Sequence, residues 1–186
     1  LGVTYKCAWR MAHQLRELME KADDPRPLAR HVEVDDAYIG GKPRTPAKHK
    51  TGRGTDKAVV IGLVERGGRV KARTLPYLRT GIAENIIQTN VAAGARIDTD
   101  ELNVYGGLSN KGFDHQTIKH GAGEYVRGDV HTNSIEGYWS RLKNSIRGTH
   151  VHVSKKYLGK YVAEFSYRYN MRKTPAVMFD RMVSSM

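Results

Sequence analysis

Apolar residues recur along this chain at two spacings, helical and strand-like, and the switches between them divide it into elements. Ala8, Met11, Ala12, Leu15 and Met19 repeat at helical spacing and Thr4 can cap them, which predicts a helix from Thr4 to Lys21. Asp23-Asp24-Pro25-Arg26-Pro27 ends it. His31 to Ile39 reads as a strand, and Gly40 to Asp56, rich in Gly, Pro and Lys, as a loop at the tip of a long hairpin. Lys57 to Glu65 is apolar enough for a buried strand, Gly67-Gly68 makes a turn, and Arg69 to Leu75 alternates as a third strand. A helix from Thr80 to Ala93 follows, with Ile82, Ile86, Ile87 and Val91 on its apolar face. Ala95 to Thr99 forms a short strand ending at Asp100, with a short helix after it through Leu108. Gln116 to Lys119 is another strand candidate, and helices are predicted for Thr132 to Ile146, capped by Thr132 or Asn133, and for Lys155 to Met171.

Three antiparallel strands, a helix, two more strands and then helices make an α/β pattern with a mixed sheet. At 186 residues the chain can bury one full core. The expected division is 1–24 as an N-terminal helix, 25–30 as a linker and 31–186 as the main domain. No apolar run approaches the roughly 20 residues of a membrane span. Leu1-Gly-Val-Thr-Tyr-Lys6 lacks a secretion signal and a start methionine, as expected of a fragment of a cytoplasmic protein. Cys7 stands alone, which excludes an internal disulfide and a multi-cysteine zinc site.

Charge narrows the function. The formal net charge is +12, unevenly spread. From Arg141 to Met186 ten Lys/Arg face only Glu164 and Asp180, and from Gly41 to Lys57 six Lys/Arg face only Asp56. Such clusters suit a phosphate backbone bound with counterion release. The DNA-contact candidates are Lys42, Arg44, Lys48, Lys50 and Arg53 in the loop, and Lys143, Arg147, Lys155, Lys156, Arg168 and Arg172 in the last third.

The near-neutral remainder holds acids in a suggestive arrangement. Asp35 lies in the first strand, Asp100 follows a short strand, and Glu136 lies in the first turns of a helix. Phosphodiester cleavage needs an activated oxygen nucleophile and charge neutralisation, which two divalent ions about 3.5–4 Å apart supply. Mg²⁺ takes oxygen ligands and keeps waters, so few carboxylates suffice. Asp36 competes with Asp35 but points to the other side of a regular strand, whereas Glu33 shares the side of Asp35, and Asp98 that of Asp100. Asn133 reads either as a helix cap or as a metal or substrate contact. Lys143, two helical turns after Glu136 on one face, reads as a phosphate holder or as a solvated charge.

At these residues the chain resembles bacterial insertion-sequence transposases with a DDE core, and most closely the ISXO-type branch, the insertion-sequence fifteen-ninety-five group. The similar stretches are Val32-Glu-Val-Asp-Asp-Ala-Tyr-Ile-Gly-Gly-Lys42, Thr99-Asp100-Glu101 with Tyr105, and His131-Thr-Asn-Ser-Ile-Glu-Gly-Tyr-Trp-Ser-Arg-Leu-Lys143. Gly148-Thr-His-Val-His-Val-Ser154 and Glu164-Phe-Ser-Tyr-Arg-Tyr-Asn-Met-Arg172 complete the set. Asp36 stands where that branch usually has Glu. The resemblance spans about residues 31–173 and implies a ribonuclease-H-like mixed sheet flanked by helices. It also implies Mg²⁺ or Mn²⁺, as two ions, and cut-and-join chemistry on DNA by a homo-oligomer near the bacterial nucleoid, with no membrane partner. It leaves the third catalytic residue open between Glu136 and Asn133, because some members are described with Asn there. Members commonly carry an N-terminal zinc ribbon and helix-turn-helix. This chain has no CxxC pair, and Gly2 to Met11 is similar to the last helix of such a helix-turn-helix; an amphipathic helix packed on the core is the other reading.

Lesser signals change little. Eight histidines lack HExxH or ribbon spacing, and no GxxxxGK[ST] loop occurs. His131 reads as support for the acids or a DNA contact. Glu164, Arg168 and Arg172 share a helix face as an ion-pair ladder or a DNA-facing row. Tyr138 and Trp139 read as core or as base-stacking residues. Beside an active transposase, a metal-dependent nuclease and a non-catalytic DNA-binding remnant of a transposase remain as alternatives.

Overall fold

The structure, a computed structural model, describes residues 2–40, 57–119, 121, 123–124 and 126–186. A five-stranded sheet is its centre, in the order β3-β2-β1-β4-β5. Strand β1 (His31–Ile39) pairs antiparallel with β2 (Ala58–Glu65), which pairs antiparallel with β3 (Val70–Leu75). On the other side β1 runs parallel to β4 (Arg96–Asp100), and β4 parallel to β5 (Asp114–Ile118). This mixed sheet with flanking helices is the ribonuclease-H-like arrangement. Strand β1 has the bounds its sequence pattern predicts; β5 starts two residues earlier than expected, where Asp114 pairs with Arg96.

Side-chain alternation sorts the sheet into two faces. Val32, Val34, Ile61, Leu63 and Ile97 face α2 (Thr80–Asn90), with Ala83, Ile86 and Ile87. Ala37, Ile39, Val60 and Val64 face α3 (Asn133–Ser145) and α4 (Lys155–Asn170), with Ile135, Tyr138, Trp139, Leu142, Leu158 and Val162. Ile135 and Leu142 are fully buried; truncating either to Ala should cost about 2–5 kcal/mol. At the sheet edge, the Asn170 amide takes the place of a neighbouring strand. Its Oδ1 accepts from Val70 N–H at 2.7 Å and its Nδ2 donates to Val70 C=O at 2.9 Å.

Helix α2 ends three residues before the predicted Ala93. The chain turns out to pair with Leu28, whose N–H donates to Asn90 C=O while Ala92 N–H donates to Leu28 C=O. Leu28, expected in a linker, is fully buried. Beyond Asp100 the expected short helix is a pair of 3₁₀ turns, Asn103–Tyr105 and Leu108–Lys111. Helix α3 runs on into a π-helical turn, Ile146–His150, and a short α5 (Met178–Val183) closes the chain; neither showed in the periodicity.

Helix α1 (Tyr5–Ala22) is capped by Thr4, whose hydroxyl accepts from Cys7 N–H. Its packing face differs from the expected one. Met11 and Leu15 are exposed, whereas His13 is buried. Trp9 and His13 pack on Tyr157 of α4, and Arg16 bonds Glu164 at 2.8 Å while lying over the Tyr161 ring. Docking through rings and an ion pair is invisible to a purely apolar count. Among the described residues no helix is long and apolar enough to cross a membrane.

Candidate active site

The parallel register of β1 and β4 pairs Glu33 with Asp98 and Val34 with Thr99, and pairing stops there. One residue on, Asp35 and Asp100 stand side by side on the face toward α3. Adjacent strands lie about 4.8 Å apart, so the two carboxylates share one small volume at the open end of β4. Asp36 points the opposite way, where the fully buried Tyr105 donates to its Oδ1 at 3.4 Å. Burial, with Asp36, Asp35 and Asp100 nearby, holds the Tyr105 hydroxyl well above its usual range. Alternation along β1 thus sends Asp35 and Asp36 to opposite faces, as the sequence suggested.

Two details shape the surroundings of Asp35. Trp139 on α3 donates its indole N–H to Asp35 Oδ2 at 3.0 Å. Gly62, opposite Asp35 on β2, makes room for that ring: a Cβ there would lie 2.7 Å from Trp139 and 2.8 Å from Ile135. Burial, then the charges of Asp100 and Asp36, push the Asp35 carboxyl up to about 7 against the bonds that favour its ionised form. Asp100 Oδ1 accepts from the Leu102 N–H at 3.1 Å, which fixes the turn leaving β4.

Glu136 does not complete a cluster with these two. It is exposed in the first turn of α3, where its Oε1 accepts from Thr132 Oγ1 at 3.0 Å. Among the described residues no three His, Cys, Asp or Glu side chains are placed to hold one ion. Asn133 is the exposed first residue of α3, and the capping position belongs to Thr132. Lys143 lies two turns beyond Glu136 and is half-buried.

Two residues before Asp35 and Asp100, on the same face, lie Glu33 and Asp98, both fully buried. These acids are neutralised. Arg66 bridges them, with Nε 2.7 Å from Glu33 and Nη2 2.9 Å from Asp98. His131 Nδ1 is 3.3 Å from Glu33, and Arg96 Nε is 3.3 Å from Asp98. The sequence placed Glu33 and Asp98 on the right sides but did not identify Arg66; an acid on the inner face of a strand calls for a buried cation, and Arg66 directly follows β2.

Residues 27–170 match the profile of the ISXO2-like transposase domain. The chain belongs to that family. A similar protein from Halobacterium salinarum, the "uncharacterized protein in transposable element ISH50", is 29% identical over 195 residues, covering 94% of this chain and 63% of the relative. The chain therefore spans under two thirds of that relative's length. Two solved structures are similar at 12% identity: the Mos1 transposase paired-end complex with left transposon end, at TM-score 0.46, and the Mos1 strand transfer complex, at 0.41. This chain is covered to 100% and 95% in them, and 64% and 62% of the Mos1 chains.

The basic candidates of this family member divide by environment. Arg147, Lys155, Lys156 and Arg168 are exposed around the C-terminal end of α3 and along α4. Arg168 bonds Glu164 at 3.4 Å, and the same Glu164 holds Arg16 of α1. Arg172 is engaged in structure: it donates to Gly68 C=O at 3.0 Å and lies 4.0 Å from the centre of the Tyr169 ring. Its ladder with Glu164 and Arg168 therefore breaks at the last rung. Lys42, Arg44, Lys48, Lys50 and Arg53 lie outside the described residues.

Proposed function

We propose that this chain is the catalytic domain of an insertion-sequence transposase, cleaving DNA at element ends and joining the freed 3′-hydroxyl to target DNA. One observation carries the reading. The parallel β1–β4 register brings Asp35 and Asp100 together on one face, where the charge of Asp100 adds to burial in raising the proton affinity of Asp35.

The donor set fits a hard divalent ion, Mg²⁺ or Mn²⁺. Oxygen ligands dominate, and the charge of Asp100, which raises the proton affinity of Asp35, would be offset by a bound cation. Asp35 and Asp100 would hold it, with Glu136 or Asn133 as third contact once that side chain turns inward from the helix surface. When bound, such ions activate the attacking oxygen and neutralise charge on the phosphate.

The chain's own residues do the rest. Trp139 fixes one oxygen of Asp35. Without a bound ion, burial and the charge of Asp100 raise the Asp35 carboxyl to about 7, and its proton must leave for Asp35 to hold a metal. In this reading Lys143, two turns beyond Glu136, would hold a phosphate, and Arg147, Lys155, Lys156 and Arg168 would carry the DNA backbone. A homo-oligomer on two DNA ends is the assembly this chemistry calls for.

The test is a strand-transfer assay with labelled element ends, target DNA and Mg²⁺. Joined products are expected. Hydrolysis without joining would replace the reading with a metal nuclease, and DNA binding without cleavage with a non-catalytic remnant.

A further inference from the structure

Arg66 has no part in the chemistry above, yet it has an unusually complete set of partners. Besides Glu33 and Asp98, its Nη1 donates to Asp129 C=O at 2.7 Å and its Nη2 to His131 C=O at 3.0 Å. Glu33 uses its other oxygen, Oε2, to accept from the N–H groups of Ser134 at 2.7 Å and Ile135 at 3.0 Å. Those are first-turn donors of α3, which lack partners within the helix and sit at its positive end. Asp98 accepts from His131 N–H at 3.2 Å. The segment entering α3 is therefore tied to the two strand acids, directly or through one guanidinium. Two residues further along, the same strands carry Asp35 and Asp100.

We propose that Arg66 is a positioning residue. Through Glu33 and Asp98 it fixes where α3 begins, and so sets how Glu136 and Asn133 approach the Asp35–Asp100 pair. A rigid planar fork reaches two carboxylates and two carbonyls at once; a lysine offers a point charge and cannot. Misplacing a catalytic group by about 1 Å can cost about 10²-fold in rate. The kinetic consequence rests on the transposase reading; the positioning itself does not.

The test compares the full chain with Arg66→Lys, Arg66→Met and the double variant Arg66→Met/Glu33→Gln. Arg66→Lys should lower kcat for Mg²⁺-dependent DNA cleavage about 10²-fold, with KM and DNA affinity unchanged. Amide hydrogen exchange at residues 131–136 should rise about tenfold or more, with β1 and β2 unaffected. The double variant should recover about tenfold in kcat over Arg66→Met, because the uncompensated buried carboxylate is gone. Wild-type exchange at 131–136 in Arg66→Lys would overturn the proposal, as would faster exchange spread evenly over the sheet, which marks a plain stabiliser. A wild-type chain that cleaves no DNA removes the transposase reading, while the exchange contrast still decides the positioning.

Discussion

Two pairs of acids lie one step apart on the same face of β1 and β4, in opposite surroundings. Glu33 and Asp98 are fully buried and meet Arg66, Arg96, His131 and helix N–H groups. Asp35 and Asp100 lie beside each other; Asp35 accepts the Trp139 indole N–H and Asp100 the Leu102 backbone N–H, and burial with the charge of Asp100 raises the Asp35 carboxyl. The first pair is spent on holding α3. In the second, burial and a neighbouring acid hold the Asp35 carboxyl well above its usual range, which is what the proposed metal would offset. Strand position alone cannot tell the pairs apart; what surrounds each does.

The comparison breaks most sharply by neutralising one acid of each pair. Asp35→Asn or Asp100→Asn should reduce Mg²⁺-dependent cleavage by about 10³-fold or more, some 4 kcal/mol of barrier, without lowering Tm. Full metal-dependent activity in Asp100→Asn would remove Asp100 from the site. Asp98→Ala should do the reverse in kind, costing about 3 kcal/mol of stability by leaving Arg66 and Arg96 short of a partner. For a chain of this size that is a fall in Tm of roughly 6–12 °C. An Asp98→Ala protein that melts like wild type would mean that the network is ornamental.

A pH series sharpens the contrast. The Asp35 carboxyl is raised from 3.8 to about 7. Folding therefore favours its protonated form. The stability this gives is fully present below the unfolded pKa and is lost as pH rises through about 7. Without metal, Tm should fall between about pH 5 and 8 more steeply in wild type than in Asp35→Asn, and Mg²⁺ should restore the loss at pH 8. Parallel curves for the two proteins would show that Asp35 is not strained.

Much of this was legible in the sequence because strand alternation is a rigid rule. It gave β1 its bounds, set Asp35 against Asp36, and put Glu33 and Asp98 on the sides they occupy. The partners were not legible. Arg66 meets Glu33 across the β1–β2 pair and Trp139 meets Asp35 from another element, and neither bond follows from local spacing. Helix α1 misled for a related reason: its docking face is made of Trp9, His13 and Arg16, which an apolar count passes over. The third ligand stays open between Glu136 and Asn133, as in the sequence, because both sit exposed at the start of α3, where Glu136 accepts from Thr132 Oγ1 at 3.0 Å.

Gly62 offers a gentler perturbation aimed at the Asp35 side. A methyl group at this position collides with Trp139 and Ile135, and overpacking of this kind costs about 1–3 kcal/mol. Gly62→Ala should displace the indole from Asp35, changing Trp139 fluorescence in a Trp9→Phe background, and lower cleavage. The Glu33–Asp98 network, two residues away, should keep its hydrogen-exchange protection. Loss of protection there would show that the two pairs share one mechanical unit.

The smallest effect tests the surface proposed to bring DNA to these acids. Lys156 is exposed at the start of α4, 5.3 Å from the centre of the Tyr157 ring. A backbone contact there carries no sequence information. If about six phosphates are neutralised in all, affinity should fall roughly 10³-fold between about 50 and 200 mM salt. Lys156→Ala should then weaken every DNA sequence alike and make the log–log salt slope shallower by about one. It should leave kcat at saturating DNA and the pH dependence of Tm untouched, because neither acid pair feels it. A change in sequence preference with an unchanged slope would mean that Lys156 reads bases, and the division between a binding surface and a cutting pair would have to be redrawn.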